Sequence, residues 1–275
     1  MSENNTVTYE KLGLANDFMF GKIMQSERYC KPFLEQLLGI SIDRIEYVER
    51  QKVIDEKVDG RSIRLDIYVE DGRTIYNCEM QTSLNRNLPK RTRYYQGQID
   101  INQLFKGEDY ENLKKTFVIF VCTFDPFGRG GCIYTFENSC REYPGLGLGD
   151  ETVKIFLNTK GTQGAVSRNL KELLEYMDTA EIPENCINPL IPELDAALNA
   201  ARKNEEWRRE FMTLEMLKQD YMKEGRAEGL EKGREEERKE MIYYMLLDNV
   251  EVDRIARIAR ISVEDVLRIK EEYNL

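Results

Sequence analysis

The chain contains no histidine. That absence removes Ser-His and Cys-His nucleophiles, imidazole acid–base work and histidine-ligated zinc together. Six cysteines are present, but none stands in a C-x-x-C pair, and their spacing suits neither a zinc site nor a secreted disulfide framework. Buried, reduced thiols are the expectation for Cys30, Cys78, Cys122, Cys132, Cys140 and Cys186. Proline is sparse, and the stretch 194–245 has none. No apolar run approaches the roughly 18 residues of a membrane span. The opening "MSENNTVTYEKLG" lacks the apolar core of a signal peptide. A cytoplasmic protein with no membrane partner is the expectation.

What remains is a chain of 275 residues, 41% hydrophobic and 33% charged, with a mean hydropathy of −0.58. It can bury a sizeable core and carry solvated helix besides. Its net charge of −10 argues against a broadly basic, nucleic-acid-coating surface. A local basic cleft is still open, because "RNLPKRTR" (Arg86 to Arg93) holds four cations and no acid. Without histidine, catalysis falls to carboxylates, amides, Lys, Arg, Tyr or Cys, and carboxylates suit Mg²⁺ or Mn²⁺.

Along the chain, "NDFMFGKIM" (16–24) reads as a helix capped by Asn16 or Asp17, and "KPFLEQLLG" (31–39) as a second, closed by Gly39. Residues 42–54 lead into strands at about 62–70 and 73–81. A helix follows over 91–105. "KTFVIFVCTF" (115–124) has the continuous apolar character of a fully buried strand. "CIYTFENS" and "TVKIFLNT" add strands, and "SRNLKELLEYM" (167–177) a helix. These elements divide into units at 1–178, 179–245 and 246–275. In the second, Gly225, Gly229 and Gly233 recur every four residues. A glycine costs a helix about 1 kcal/mol against alanine, so the stripe fits either a flexible acidic linker or a close contact with a second helix, as in a homodimer. The tail (252–273) reads as two short amphipathic helices with Ser262 as the second N-cap. That pattern suits a helix-turn-helix or a small packing hairpin.

The informative stretch is "IRLDIYVEDGRTIYNCEMQ" (63–81). A two-residue Asp71-Gly72 turn sets Glu70 opposite Arg73, Asp66 opposite Asn77 and Arg64 opposite Glu79. Side-chain alternation then puts Asp66, Glu79 and Gln81 on one face, with Asp66 and Glu79 as diagonal neighbours. Two carboxylates so close repel unless a cation joins them. Mg²⁺, which takes one or two carboxylates and keeps several waters, meets that demand. A solvated sheet face with unrelated polar residues is the alternative.

The pattern Asp66…Glu79-Met80-Gln81 resembles the PD-(D/E)XK nuclease superfamily. The ordered set "NDFMFGKIM", "LDIYVEDGRTIYNCEMQ", "RTRYYQGQI", "GEDYENLKKTFVIFVCTFDPF", "NEEWRREFM" and "EGRAEGLEKGREEE" resembles more closely the Rpn group of recombination-promoting nucleases, also labelled transposases. The resemblance implies an α/β, restriction-endonuclease-like core, with a mixed sheet flanked by helices, plus a C-terminal helical extension. It implies Mg²⁺-dependent DNA cleavage, with Asp66 and Glu79 as metal ligands and the Met80 carbonyl as a further one. Gln81 stands where the superfamily has lysine. An amide carries no charge near neutral pH, so Gln81 would orient the attacking water through its carbonyl, with Lys90, Arg91 or Arg93 as the cation and as DNA contacts. Asp17 is either a cap or a further acid at the site. Tyr94 and Tyr95 match the family's aromatic pair, and Glu35 and Glu46 are further carboxylates with no pattern to favour them. The functional expectation is a DNA endonuclease of low sequence specificity that promotes recombination. The rival is a DNA-binding or assembly protein that keeps the nuclease fold without catalysis.

Overall fold

The computed structural model describes residues 8–45, 47–54, 63–84 and 87–273, with the backbone alone at 47–54 and 63–65. Glu46 and Arg86 lie outside the described residues. The chain forms two units, one ending at Arg208 and the other beginning at Arg209.

The first unit opens with α1 (Asp17–Ile23) and α2 (Glu27–Leu38). Asn16 caps α1, its Oδ1 accepting the N–H groups of Phe18 (3.1 Å) and Met19 (3.2 Å). Asp17 is therefore the first helical residue and not the cap. Helix α2 begins four residues before the expected start and takes Pro32 inside it. Its buried residues Cys30, Phe33, Leu34 and Leu37 follow one helical stripe, and that packing outweighs the proline. Gly39 closes it in the left-handed conformation (φ 67°).

Strands β1 (Tyr47–Ile54), β2 (Ile63–Glu70), β3 (Thr74–Gln81), β4 (Lys115–Cys122), β5 (Ile133–Phe136) and β6 (Thr152–Asn158) build one six-stranded sheet in the order β1-β2-β3-β4-β6-β5. The sheet is mixed: β3, β4 and β6 run parallel, and the other neighbours pair antiparallel. β4 is buried from Thr116 to Cys122, as its unbroken apolar sequence requires of a strand covered on both faces. Helix α3 (Leu88–Gln103) carries the chain from β3 back to the start of parallel β4. It packs Leu88, Tyr95 and Ile99 against Tyr68, Ile75, Val118 and Phe120 on one face. Phe120 stacks at the centre of that layer, with ring centroids 6.1 Å from Tyr95 and 5.7 Å from Phe156. Cys78 is buried on the opposite face, as strand alternation with Asn77 and Glu79 requires.

Helix α4 (Arg168–Thr179) is capped by Ser167, and α5 (Leu190–Arg202) follows it. Both pack with the first unit. Tyr176 O–H donates to Asp195 at 3.3 Å, Tyr9 O–H to the Ala201 carbonyl at 2.8 Å, and Arg202 to the Leu12 carbonyl at 2.9 Å.

Helix α6 (Glu205–Leu247) runs unbroken through Gly225, Gly229 and Gly233, which excludes the flexible-linker reading. A Cβ built at any of the three meets nothing within 4 Å among the described residues. Helices α7 (Val252–Ala259) and α8 (Val263–Glu272) complete the second unit. Its core joins Ile242 of α6 to Ile255, Ala256, Ala259, Val266 and Ile269. Ser262 caps α8 by accepting the Asp265 N–H at 3.1 Å, as its sequence position suggests. Among the described residues, no helix is long and apolar enough to cross a membrane. Four cysteines are buried as free thiols; Cys140 and Cys186 are only half-buried.

Candidate active site

The β2–β3 hairpin turns one residue later than Asp71-Gly72, on Gly72-Arg73. Asp71 N–H donates to the Thr74 carbonyl at 3.1 Å. The Asp71 carboxylate accepts the N–H groups of Thr74 (2.8 Å) and Arg73 (3.3 Å), and the Tyr76 hydroxyl (2.8 Å). Gly72 takes the positive φ of 87° that this turn requires. Closing the turn at Asp71 and Thr74 slides the ladder by two, to Ile67↔Cys78, Tyr68↔Asn77, Val69↔Tyr76 and Glu70↔Ile75. Asp66 is thus level with Glu79, and not with Asn77 as a turn on Asp71-Gly72 would have it. A slide of two leaves every side chain on its expected face.

At that level the carboxylates bridge the strands. Asp66 N–H donates to Glu79 Oε1 at 3.1 Å, and Met80 N–H donates to Asp66 Oδ2 at 3.0 Å. The Asn77 amide, with its nitrogen toward Glu79, donates to the same Oε1 at 3.1 Å and to the Ile67 carbonyl at 3.3 Å. Glu79 is 1% exposed. Burial, and then the neighbouring Asp66 carboxylate, push its carboxyl well above the ordinary range. The Asp66 N–H, Arg91 and Asn77 oppose that shift without cancelling it.

Of the three candidates for the cation, the structure brings Arg91 to the acids. Arg91, in the first turns of α3, donates from Nη1 to Gln81 Oε1 at 2.9 Å and approaches Glu79 Oε2 at 3.4 Å. Its Nε and Nη2 both donate to the Tyr95 hydroxyl, at 3.0 and 2.8 Å. The guanidinium lies 5.1 Å from the ring centroids of both Tyr95 and Phe120. Lys90 and Arg93 are exposed on the outside of the helix. Gln81 is committed at both ends of its amide, because Nε2 donates to the Ser83 carbonyl (2.7 Å) and hydroxyl (3.3 Å). That geometry replaces the expectation of a carbonyl turned to water. Tyr95 was visible only as one of an aromatic pair; its four-residue spacing from Arg91 was the available signal.

The other candidates fall as follows. Asp17 is exposed in the first turn of α1, its Oδ1 accepting the Phe18 N–H at 3.0 Å. Glu35 accepts the Ile42 N–H at 2.9 Å and so fastens the segment after α2. Met80 is buried. A separate cleft of about 250 Å³ at the other end of α3 is lined by Tyr68, Glu70, Asn102, Gln103 and Lys114 among others, and contains no sequence-predicted site residue. Its Glu70 is already paired with Lys114 at 3.1 Å and with the Tyr68 hydroxyl.

The donor set at Asp66 and Glu79 fits a divalent cation. Two hard carboxylates stand side by side on adjacent strands, each bonded to the other strand's backbone, and one of them is too buried to carry its charge comfortably alone. No group of three Asp, Glu or Cys side chains converges among the described residues. A cation held here would keep several waters, which suits Mg²⁺ better than a fully protein-ligated ion.

Residues 14–128, which contain α1 to β4 and the whole carboxylate site, match the family model described as PD-(D/E)XK nuclease family transposase. Comparison with curated proteins and with solved structures finds no match.

Proposed function

With the segment 14–128 belonging to the PD-(D/E)XK nuclease family of transposases, we propose that the chain is a Mg²⁺-dependent DNA endonuclease of low sequence specificity that promotes recombination. Mn²⁺ is the expected substitute. The observation that carries this reading is the interlocked pair Asp66 and Glu79, set level on neighbouring strands beneath Arg91.

Asp66 and Glu79 would hold the cation, with the Met80 carbonyl as a further donor and Asp17 as an additional acid from α1. When bound, the cation supplies Lewis-acid chemistry: it lowers the pKa of a water and offsets charge gathering on the phosphate. In the hydrolysis, the water oxygen forms a bond to phosphorus while the bond from phosphorus to the leaving sugar oxygen breaks. One proton passes from the water to solvent, and the leaving oxygen takes one up. Lys90 and Arg93, exposed on the same stretch of α3 as Arg91, would contact the DNA backbone. Against an overall charge of −10, such contacts make binding weak and strongly salt-dependent. A cytoplasmic location and a homodimer through the C-terminal helices belong to the same proposal.

The test is nicking of supercoiled plasmid by the full chain with Mg²⁺, Mn²⁺, Ca²⁺ or EDTA, beside Asp66→Ala and Glu79→Ala. Cleavage that needs Mg²⁺ or Mn²⁺ and vanishes in both variants supports the nuclease. Plasmid left intact by the parent chain under every condition would favour a DNA-binding or assembly protein that keeps the fold without the chemistry.

A further inference from the structure

We infer that Arg91, carried by a helix and not by the strand, is the protein cation that meets the phosphate being cleaved, and that Gln81 and Tyr95 are the residues that position it. This inference rests on the nuclease reading above and names the group that completes it.

Gln81 on β3 cannot provide positive charge, but its amide oxygen holds a guanidinium 2.9 Å away. The cation therefore reaches the strand position from α3. Tyr95, one helical turn further on, accepts two N–H groups of the same guanidinium at 2.8 and 3.0 Å, and its ring flanks the ion together with that of Phe120. Gln81 is itself fixed from behind by Ser83.

The relative lengths decide what holds Arg91. Its approach to Glu79 is 3.4 Å, the longest of its polar contacts. A divalent cation that took up the Glu79 charge would weaken that contact and leave the hydrogen bonds to Gln81 and Tyr95 in place. Arg91 thus stays at the site when the acids are neutralised, which a simple counter-ion would not. The Arg91 side chain is 31% exposed, against 2% for that of Glu79, so of the two it is the one a ligand from solvent can reach. A planar guanidinium can bond two phosphate oxygens at once, and fixed donors aimed at developing charge cost no reorganisation during the reaction.

The inference separates from a purely structural ion pair by its effect on cleavage at saturating metal. A mere counter-ion for Glu79 competes with a divalent cation, so removing it should tighten metal binding and leave that cleavage rate unchanged. The experiment uses the full chain as Arg91→Ala, Tyr95→Phe, the double variant of these, and Gln81→Lys combined with Arg91→Ala. Single-turnover plasmid cleavage and Mn²⁺ affinity by electron paramagnetic resonance are measured on each, with circular dichroism as the control for folding. Expected are a rate loss of about 10²–10³-fold for Arg91→Ala with Mn²⁺ affinity unchanged or higher. Tyr95→Phe should slow the parent chain yet add nothing in the Arg91→Ala background, the signature of action through Arg91. Lysine at 81 should restore cleavage at least tenfold over Arg91→Ala alone, on the order of a kcal/mol-scale contact.

Parent-like cleavage by Arg91→Ala would overturn the inference while leaving the nuclease standing. Loss of Mn²⁺ binding together with cleavage in a folded Arg91→Ala would make Arg91 part of the metal site and overturn it as well. If Arg91→Ala fails to fold, Gln81→Lys with Arg91→Lys takes its place, and no gain over Arg91→Lys alone counts against the inference. A parent chain that neither binds Mn²⁺ nor cleaves sinks the nuclease reading itself.

Discussion

Asp66 and Glu79 each bond the backbone at the other's level: the Asp66 N–H reaches Glu79 Oε1 at 3.1 Å, and the Met80 N–H reaches Asp66 Oδ2 at 3.0 Å. Each carboxylate keeps an oxygen engaged with the sheet, so the pair is oriented before any ligand arrives. Preorganisation of this kind is what a metal site needs from its scaffold.

The raised Glu79 carboxyl gives a pH signature. Its folded-state pKa lies above the unfolded value of about 4.3, so the native state binds the proton more tightly. The stability it contributes is fully present below that unfolded value and is lost as pH rises through the raised folded one. Glu79→Gln carries no such charge. In EDTA it should match the parent chain near pH 4 and exceed its melting temperature by about 2–4 °C at pH 7. Added Mg²⁺ should raise the parent's midpoint and leave the variant's unmoved. Differential scanning calorimetry across pH reads both.

Asp71 closes the hairpin with three side-chain hydrogen bonds. Asp71→Ala leaves those donors to find water and should cost about 1–3 kcal/mol in urea unfolding. Asp71→Asn, which retains one acceptor, should lose less.

Gly161 follows β6 where the chain passes the entry to β5. A Cβ there would stand 2.4 Å from Cys132 Cα and 2.6 Å from its nitrogen. Backbone atoms cannot swing aside as a side-chain end can. Gly161→Ala should destabilise by about 1–3 kcal/mol, the range for overpacked sites, or more. Denaturant midpoints of the full chain provide the measurement.

The glycines of α6 make the opposite case, because a methyl group at each has open space. Alanine at 225, 229 and 233 together should stabilise the helix by roughly 0.5–1 kcal/mol per site, read as added helix content in far-ultraviolet circular dichroism. Under the proposed homodimer the same triple variant should self-associate less in sedimentation. Unchanged self-association would free the stripe from any role between copies.

The sequence made the faces of the hairpin legible, since period-two alternation survives a shift of the turn by one residue. It did not reveal which residues sit level, because Asp71 bonds Tyr76 and the backbone and so closes the turn, whereas Asp-Gly suggests a turn on those two residues. The buried strand β4 and the Ser262 cap were plain from apolar continuity and cap chemistry. The start of α2 was not, because Pro32 masks a helix that tertiary packing sustains. At the site, Asp66, Glu79 and Gln81 were recognisable by pattern, whereas the choice of Arg91 over Lys90 and Arg93 needed the helix azimuth. Only the one whose side chain returns to the sheet can matter to Glu79, and that direction follows from how α3 lies on Phe120.

The acids are borne by the sheet and the guanidinium by α3, so neither element alone contains the site. A chain whose strands have paired but whose helix has not settled displays two bare carboxylates without their cationic partner. The packing of Tyr95 on Phe120 is what turns Arg91 toward the sheet, so a change that loosens this aromatic layer reaches the candidate site without touching either acid.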